Sequence, residues 1–191
     1  MNRLELFPIS TRIENDRLTI AGCDLASLAD PYLTPLYVYD RATLNFLAHS
    51  YTDALSTHYP APSSITYAGK AFLCKAIAAW TQEHNFHVDC TGEGEIGIAV
   101  AGGVPREKIL VHGVNKSTAD LQAAIKHAAT IVVDNLNELH RIHVILSDSE
   151  GSLPLKSKTL WLRGRKERSL TPSRRPFGRV TQLSGCACSP V

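Results

Sequence analysis

Thr66-Tyr67-Ala68-Gly69-Lys70 is the stretch from which the rest of the sequence becomes readable. Ser64-Ile65-Thr66-Tyr67 is a short run of β-branched and aromatic residues, which predicts a strand. Ala68-Gly69 narrow the chain, and Lys70 stands where that strand should end. A helix-forming run, Cys74-Lys75-Ala76-Ile77-Ala78-Ala79-Trp80, begins within one turn of it. A lysine at the exit of a strand suits Schiff-base chemistry, which needs a deprotonated amine, a state that partial burial favours. A solvated lysine after an edge strand is the other reading of these five residues, and the remainder of the chain decides between the two.

Outward from Lys70 the pattern repeats. Strand Ile65–Ala68 and helix Cys74–His84 are followed by strand His87–Cys90 and helix Glu93–Ala101. Strand Lys108–His112 then leads to helix Thr118–Ala129, with Ser117 as N-cap and Asp120 three residues on. Strand Thr130–Asp134, helix Asn137–Leu146 and strand Lys158–Leu162 complete the series. Units of about 20–25 residues imply a parallel sheet with crossover helices, hence an α/β fold of about five strand–helix units. Each strand ends in polar groups: Lys70, Asp89, His112, Asp134-Asn135 and Arg163. Sites in parallel α/β folds lie at that edge, so this succession predicts the rim of a site. No G-x-G-x-x-G or G-x-x-x-x-G-K-[ST] follows the first strand, which argues against a dinucleotide or nucleoside-triphosphate site. Gly92-Glu93-Gly94-Glu95 and Gly102-Gly103 are expected to open and close one helix.

Upstream, Arg12–Ile20 reads as a hairpin turning at Asn15-Asp16, Asp24–Ala29 as a helical turn, and Thr34–Asp40 as a strand. A helix follows over Arg41–His58, with Leu44, Leu47, Ala48, Tyr51 and Leu55 at helical spacing.

The 191 residues are 44% hydrophobic and 20% charged, proportions of a globular protein with room for one sizeable core. Met1–Leu6 carries an early acid and no apolar run, so neither a signal peptide nor a membrane span is expected. Five cysteines, odd in number and mostly isolated, point to reduced thiols and a cytoplasmic location, and Cys186-Ala187-Cys188 has no second ligand pair to make a zinc site. The net charge of +2 is unevenly spread: residues 1–162 hold 13 Lys/Arg against 17 Asp/Glu, residues 163–191 seven against one. That basic tail has no apolar period and is rich in Arg, Ser, Pro and Gly, so it is expected to be disordered. A basic run can bind phosphate backbones, but the tail begins inside an expected strand, which favours a non-family tail over a nucleic-acid arm.

Five motifs, in order, carry a family resemblance: Thr34-Pro35-Leu36-Tyr37-Val38-Tyr39-Asp40, Tyr67-Ala68-Gly69-Lys70, Asp89-Cys90-Thr91-Gly92-Glu93-Gly94-Glu95-Ile96, Asn115-Lys116-Ser117 and Val133-Asp134-Asn135-Leu136-Asn137-Glu138-Leu139. Together they resemble the pyridoxal-phosphate decarboxylases, the group that includes the diaminopimelate and ornithine decarboxylases. The resemblance implies an incomplete (β/α)₈ TIM barrel over residues 40–162. Residues 1–39 would be N-terminal strands that join a C-terminal β-domain, and 163–191 the non-family tail. It implies Lys70 as catalytic Schiff-base lysine, Asp89 as an acid near the cofactor ring and Glu95 as an acid one helical turn on. His112, from its place on the rim, is the third cofactor-binding candidate beside Lys70 and Asp89; no metal is expected. The implied cofactor is pyridoxal 5′-phosphate and the implied reaction decarboxylation of meso-diaminopimelate to L-lysine, by a homodimer. Alternatives are an ornithine/arginine-type or carboxynorspermidine-type decarboxylase, a related racemase, or a non-catalytic pyridoxal-phosphate carrier. The sequence departs from the family where Ala71-Phe72 follow the lysine and where Gly92-Glu93-Gly94-Glu95 replaces a serine-glycine-glycine-glutamate motif. With five units where the family barrel has eight, this polypeptide is expected to be a shortened, inactive member.

Overall fold

The computed structural model describes residues 3–148, 159–162 and 169–170, in two compact units, Met1–Ser63 and Ser64–Val191. In the first unit, β1 (Thr11–Glu14), β2 (Arg17–Ile20) and β3 (Cys23–Asp24) form an antiparallel sheet. The hairpin turns at Asn15 and Asp16, whose φ of 51° and 59° are left-handed values that these two short polar residues tolerate. It thereby pairs Ile13 with Leu18 and Glu14 with Arg17. Asp24 caps α1 (Leu25–Tyr32), accepting from the Ala26 amide at 3.2 Å and the Ser27 hydroxyl at 2.6 Å. Asp40 caps α2 (Arg41–His58) through the Ala42 and Thr43 amides and the Thr43 hydroxyl. Burial raises the Asp40 carboxyl, and hydrogen bonds from Thr43, Ser10 and the cap amides outweigh it, leaving the carboxyl below the usual range.

One expectation fails in this unit. Thr34–Asp40 is not a strand. Its β-forming residues have no neighbouring strand to pair with among the described residues, and Tyr37 is 86% exposed. Strand propensity records how a residue fits a pleated, half-buried surface, and here there is none.

The second unit holds β4 (Thr66–Ala68), α3 (Lys75–Glu83), β5 (His87–Cys90), α4 (Glu93–Ala101), β6 (Ile109–Val111), α5 (Thr118–His127), β7 (Thr130–Val133), α6 (Leu136–Asp148), β8 (Thr159–Leu162) and β9 (Ser169–Leu170). Strands β4 to β8 lie in sequence order, all parallel, with Ala68 beside Asp89, Asp89 beside Leu110 and Val133 beside Leu162. Alternation along the strands separates two faces. Val88, Cys90, Ile109, Val111, Ile131 and Val133 are buried against Ala78, Ile96, Ala99, Leu121, Ala124 and Ile142 from α3 to α6. His87, Asp89, Leu110 and Val132 occupy the opposite face and are only half-buried. Helices on one face, with no reversal of strand order, make this part of a (β/α) barrel rather than a doubly wound sheet. The helices sit close: a Cβ on Gly102, the C-cap of α4, would lie 2.4 Å from the Ala78 Cβ on α3.

After β8 the pattern changes. Ser169–Leu170 pairs antiparallel to β8, with Leu160 beside Leu170. The rest of the basic tail, Arg163 and the Cys186–Cys188 pair lie outside the described residues, and so does the disorder expected of them.

Candidate functional site

The candidate residues Lys70, Asp89 and His112 lie at or next to the C-terminal ends of β4, β5 and β6. Lys70 lies in the tight turn Gly69–Ala71 that ends β4, and its side chain is exposed, not partly buried. Two features hold this turn against the sheet. Gly69 is buried so close to β5 that a Cβ there would stand 2.8 Å from the Asp89 carbonyl oxygen and 3.4 Å from the Glu95 carboxylate. Tyr67 donates its hydroxyl to the Phe72 carbonyl at 2.6 Å, closing the turn across Lys70, while its ring meets Trp80 edge-on at 6.1 Å.

Asp89, in register with Ala68 on β4 and Leu110 on β6, is on the face away from the helices. Its Oδ1 is buried and has no hydrogen-bond partner among the described residues. Desolvation raises its carboxyl above the usual range, and Glu95 adds to this; the charges of His112, Lys70 and Lys116 oppose it. Lys70 and His112 both lie within electrostatic reach of Asp89. His112 directly follows β6 and donates its amide to the Cys90 carbonyl at 2.9 Å, continuing the ladder to β5. Glu95 is fixed by the Thr91 amide and hydroxyl, at 2.7 and 3.0 Å from its Oε2. Cys90 faces the helices instead; burial, with Glu95 and Asp89, pushes its thiol up to about 12, so it is no nucleophile.

Two charged residues in the quoted motifs have a role that sequence reading did not assign. Lys116 and Glu138 are a buried ion pair, their side chains 0% and 1% exposed and 3.2 Å apart. The sequence signal was present only as the motifs Asn115-Lys116-Ser117 and Asp134-Asn135-Leu136-Asn137-Glu138; nothing in either one says that its charge is buried. Ser117 caps α5 with Asp120 in a reciprocal box, as expected. Asp120 also reaches across to the Glu93 amide at 2.8 Å, so one carboxylate serves the first turns of α4 and α5.

The profile of the pyridoxal-dependent decarboxylases, pyridoxal binding domain, matches residues 46–174. The chain belongs to this family. The match runs past Leu162, the end of β8. Among curated relatives, the diaminopimelate decarboxylase of Synechocystis is 35% identical over 153 residues, covering 75% of this chain and 33% of its own. That of Mycobacterium tuberculosis is 37% identical over 142 residues, covering 73% and 31%. The chain thus spans about a third of the length of these pyridoxal-dependent decarboxylases. A solved diaminopimelate decarboxylase from M. jannaschii superposes with a TM-score of 0.69 at 24% identity, over 80% of this chain and 35% of that one, which supports the barrel fold. The same enzyme in complex with L-lysine gives 0.64 at 26% identity, over 73% and 33%.

Pyridoxal phosphate is the cofactor of this family. A primary amine at the rim beside a carboxyl with an unpartnered oxygen fits the aldehyde and polar ring of that group. No helix among the described residues is long and apolar enough to cross a membrane.

Proposed function

We propose that this chain forms the lysine-bearing part of the cofactor site of a diaminopimelate decarboxylase. The observation that carries the reading is Lys70 at the sheet rim beside Asp89, whose Oδ1 lacks a partner, in a chain whose curated relatives named above are diaminopimelate decarboxylases. When bound, pyridoxal phosphate supplies an electron sink for the carbanion left by loss of carbon dioxide. Lys70 would hold the cofactor through its side-chain amine. Asp89 would offer its unpartnered oxygen to the polar edge of the ring, and desolvation raises its carboxyl above the usual aspartate range. His112 lines the same rim and acts to lower the Asp89 carboxyl, against the desolvation that raises it. Glu95, anchored by Thr91, bounds the far side of the Gly69 turn.

The 191 residues on their own bind the cofactor weakly and release no carbon dioxide. Lys70 is exposed, and among the described residues the parallel series ends in an antiparallel strand. Family proteins of this kind are read as homodimers acting on a free amino acid in the cytoplasm. The substrate is tested by joining residues 1–162 to the remaining two-thirds of a diaminopimelate decarboxylase and, separately, of an ornithine decarboxylase. Activity on meso-diaminopimelate with the first partner alone is the expected result. Activity only with the second, on ornithine, would move the assignment to the polyamine branch.

A further inference from the structure

Lys116 and Glu138 are a fully buried charge pair in the second unit. Burying two charges is repaid only when the geometry is good and the remaining hydrogen-bonding capacity is used. It is used here. The Lys116 ammonium donates to the Gly113 carbonyl at 2.6 Å, to the Val132 carbonyl at 2.8 Å and to the Glu138 carboxylate at 3.2 and 3.3 Å. Glu138 Oε2 in turn accepts from the Asp134 amide at 2.7 Å, and the Asn135 side chain accepts from the Glu138 amide at 2.9 Å. Arg141 donates to the Lys116 carbonyl.

The backbone groups these bonds hold are not scattered. Gly113 follows His112 at the end of β6; Val132 and Asp134 flank the last residue of β7. The pair therefore ties together the two strand ends that carry the rim groups His112 and Asp134, from beneath, without itself reaching solvent. Ordinary ladder bonds hold the strands but stop at Val111 and Ile131 between β6 and β7, short of these ends. An apolar pair would fill the same space more cheaply, yet could not hold three backbone groups at once.

We propose that Lys116 and Glu138 are positioning residues, a buried latch that fixes the rim segments 112–113 and 132–135 against each other and so sets where His112 stands relative to Lys70 and Asp89. The functional meaning of that placement rests on the cofactor-site reading above; the latch itself does not, because it is read out on the chain without cofactor.

The test uses the 191-residue chain and the double variant Lys116→Met/Glu138→Leu, which removes both charges and leaves neither partner stranded. Amide hydrogen exchange and ¹⁵N relaxation dispersion are measured residue by residue, with thermal melting alongside. The latch predicts that His112 and Asp134 amides exchange at least tenfold faster in the variant and gain millisecond dispersion, while the core amides of Val88 and Ile131 keep their protection. Exchange unchanged at every one of these amides would overturn the proposal. So would acceleration by one common factor at rim and core alike, with a lower melting temperature, because it would make the pair a contributor to global stability only. The single variant Lys116→Met, which strands the Glu138 carboxylate, gives a second reading. The latch predicts loss of Asp134 protection there too, beyond any loss at Ile131.

Discussion

Gly69→Ala should loosen the turn that carries Lys70, whereas the same change at Gly94 should not. The substituted Cβ at position 69 would stand 2.8 Å from the Asp89 carbonyl oxygen, a backbone atom of β5 that cannot swing aside. The Glu95 carboxylate, at 3.4 Å, adds a second close neighbour. Relief needs the turn and β5 to part by a few tenths of an ångström, and overpacking of this kind costs about 1–3 kcal/mol. Replacing glycine returns about 0.4–1 kcal/mol through the lost freedom of the unfolded chain, so the net loss should lie between about 0 and 2.6 kcal/mol. Gly94 lies in α4 with nothing within 4 Å of its added Cβ. There the alanine should stabilise by about 0.5–1 kcal/mol. Urea unfolding of the two variants and the parent, followed by far-ultraviolet circular dichroism, measures both signs in one series. Equal midpoints for the two variants would refute the claim that Gly69 is chosen for close approach to Asp89.

Asp120→Ala should cost about 1–2 kcal/mol at neutral pH, because one side chain caps the Ser117 end of α5 and the Glu93 amide of α4. Burial raises this carboxyl, but hydrogen bonds from Ser117 and the Glu93 amide prevail and hold it below 3.8. The deficit of the variant should therefore be full above that pH and shrink as acid titrates the parent through its lowered value, as denaturation at stepped pH would show. Asp89→Asn should behave oppositely. The Asp89 carboxyl is raised above 3.8, chiefly by desolvation, so its ionised form opposes folding above the raised value and the opposition fades as pH falls toward 3.8. The amide variant should accordingly be at least as stable as the parent at pH 7 and lose that advantage in acid.

Much of the fold was legible because its elements are local. The runs around Val88-Asp89-Cys90, Ile109-Leu110-Val111 and Ile131-Val132-Val133 each present apolar residues that face the helices, and Ser117 with Asp120 announces the start of α5. Lys70 and His112 could be placed at strand ends from sequence because each follows such a run, and Asp89 because it is the polar residue next to the end of its own. The errors and omissions are all non-local. Thr34–Asp40 has the composition of a strand and no partner strand, and pairing is a property of two segments. Lys116 and Glu138 lie 22 positions apart, and each alone resembles a solvated surface charge. The reach of Asp120 to Glu93 crosses 27 positions and has no sequence signature. The exposure of Lys70 depends on what stands across the sheet face, which no local pattern encodes.

The central claim, that Lys70 is the cofactor lysine, is tested most directly by trapping. The 191-residue chain is mixed with excess pyridoxal phosphate, reduced with borohydride so that even a weakly held imine becomes permanent, and the modified lysines are located by peptide mass spectrometry. Lys75, exposed one turn further on at the start of α3, is the internal control. Label at Lys70 several-fold above Lys75 and the other lysines, with total label falling accordingly in Lys70→Ala, is the result this account predicts. Equal label on Lys70 and Lys75, or undiminished label in Lys70→Ala, would contradict it.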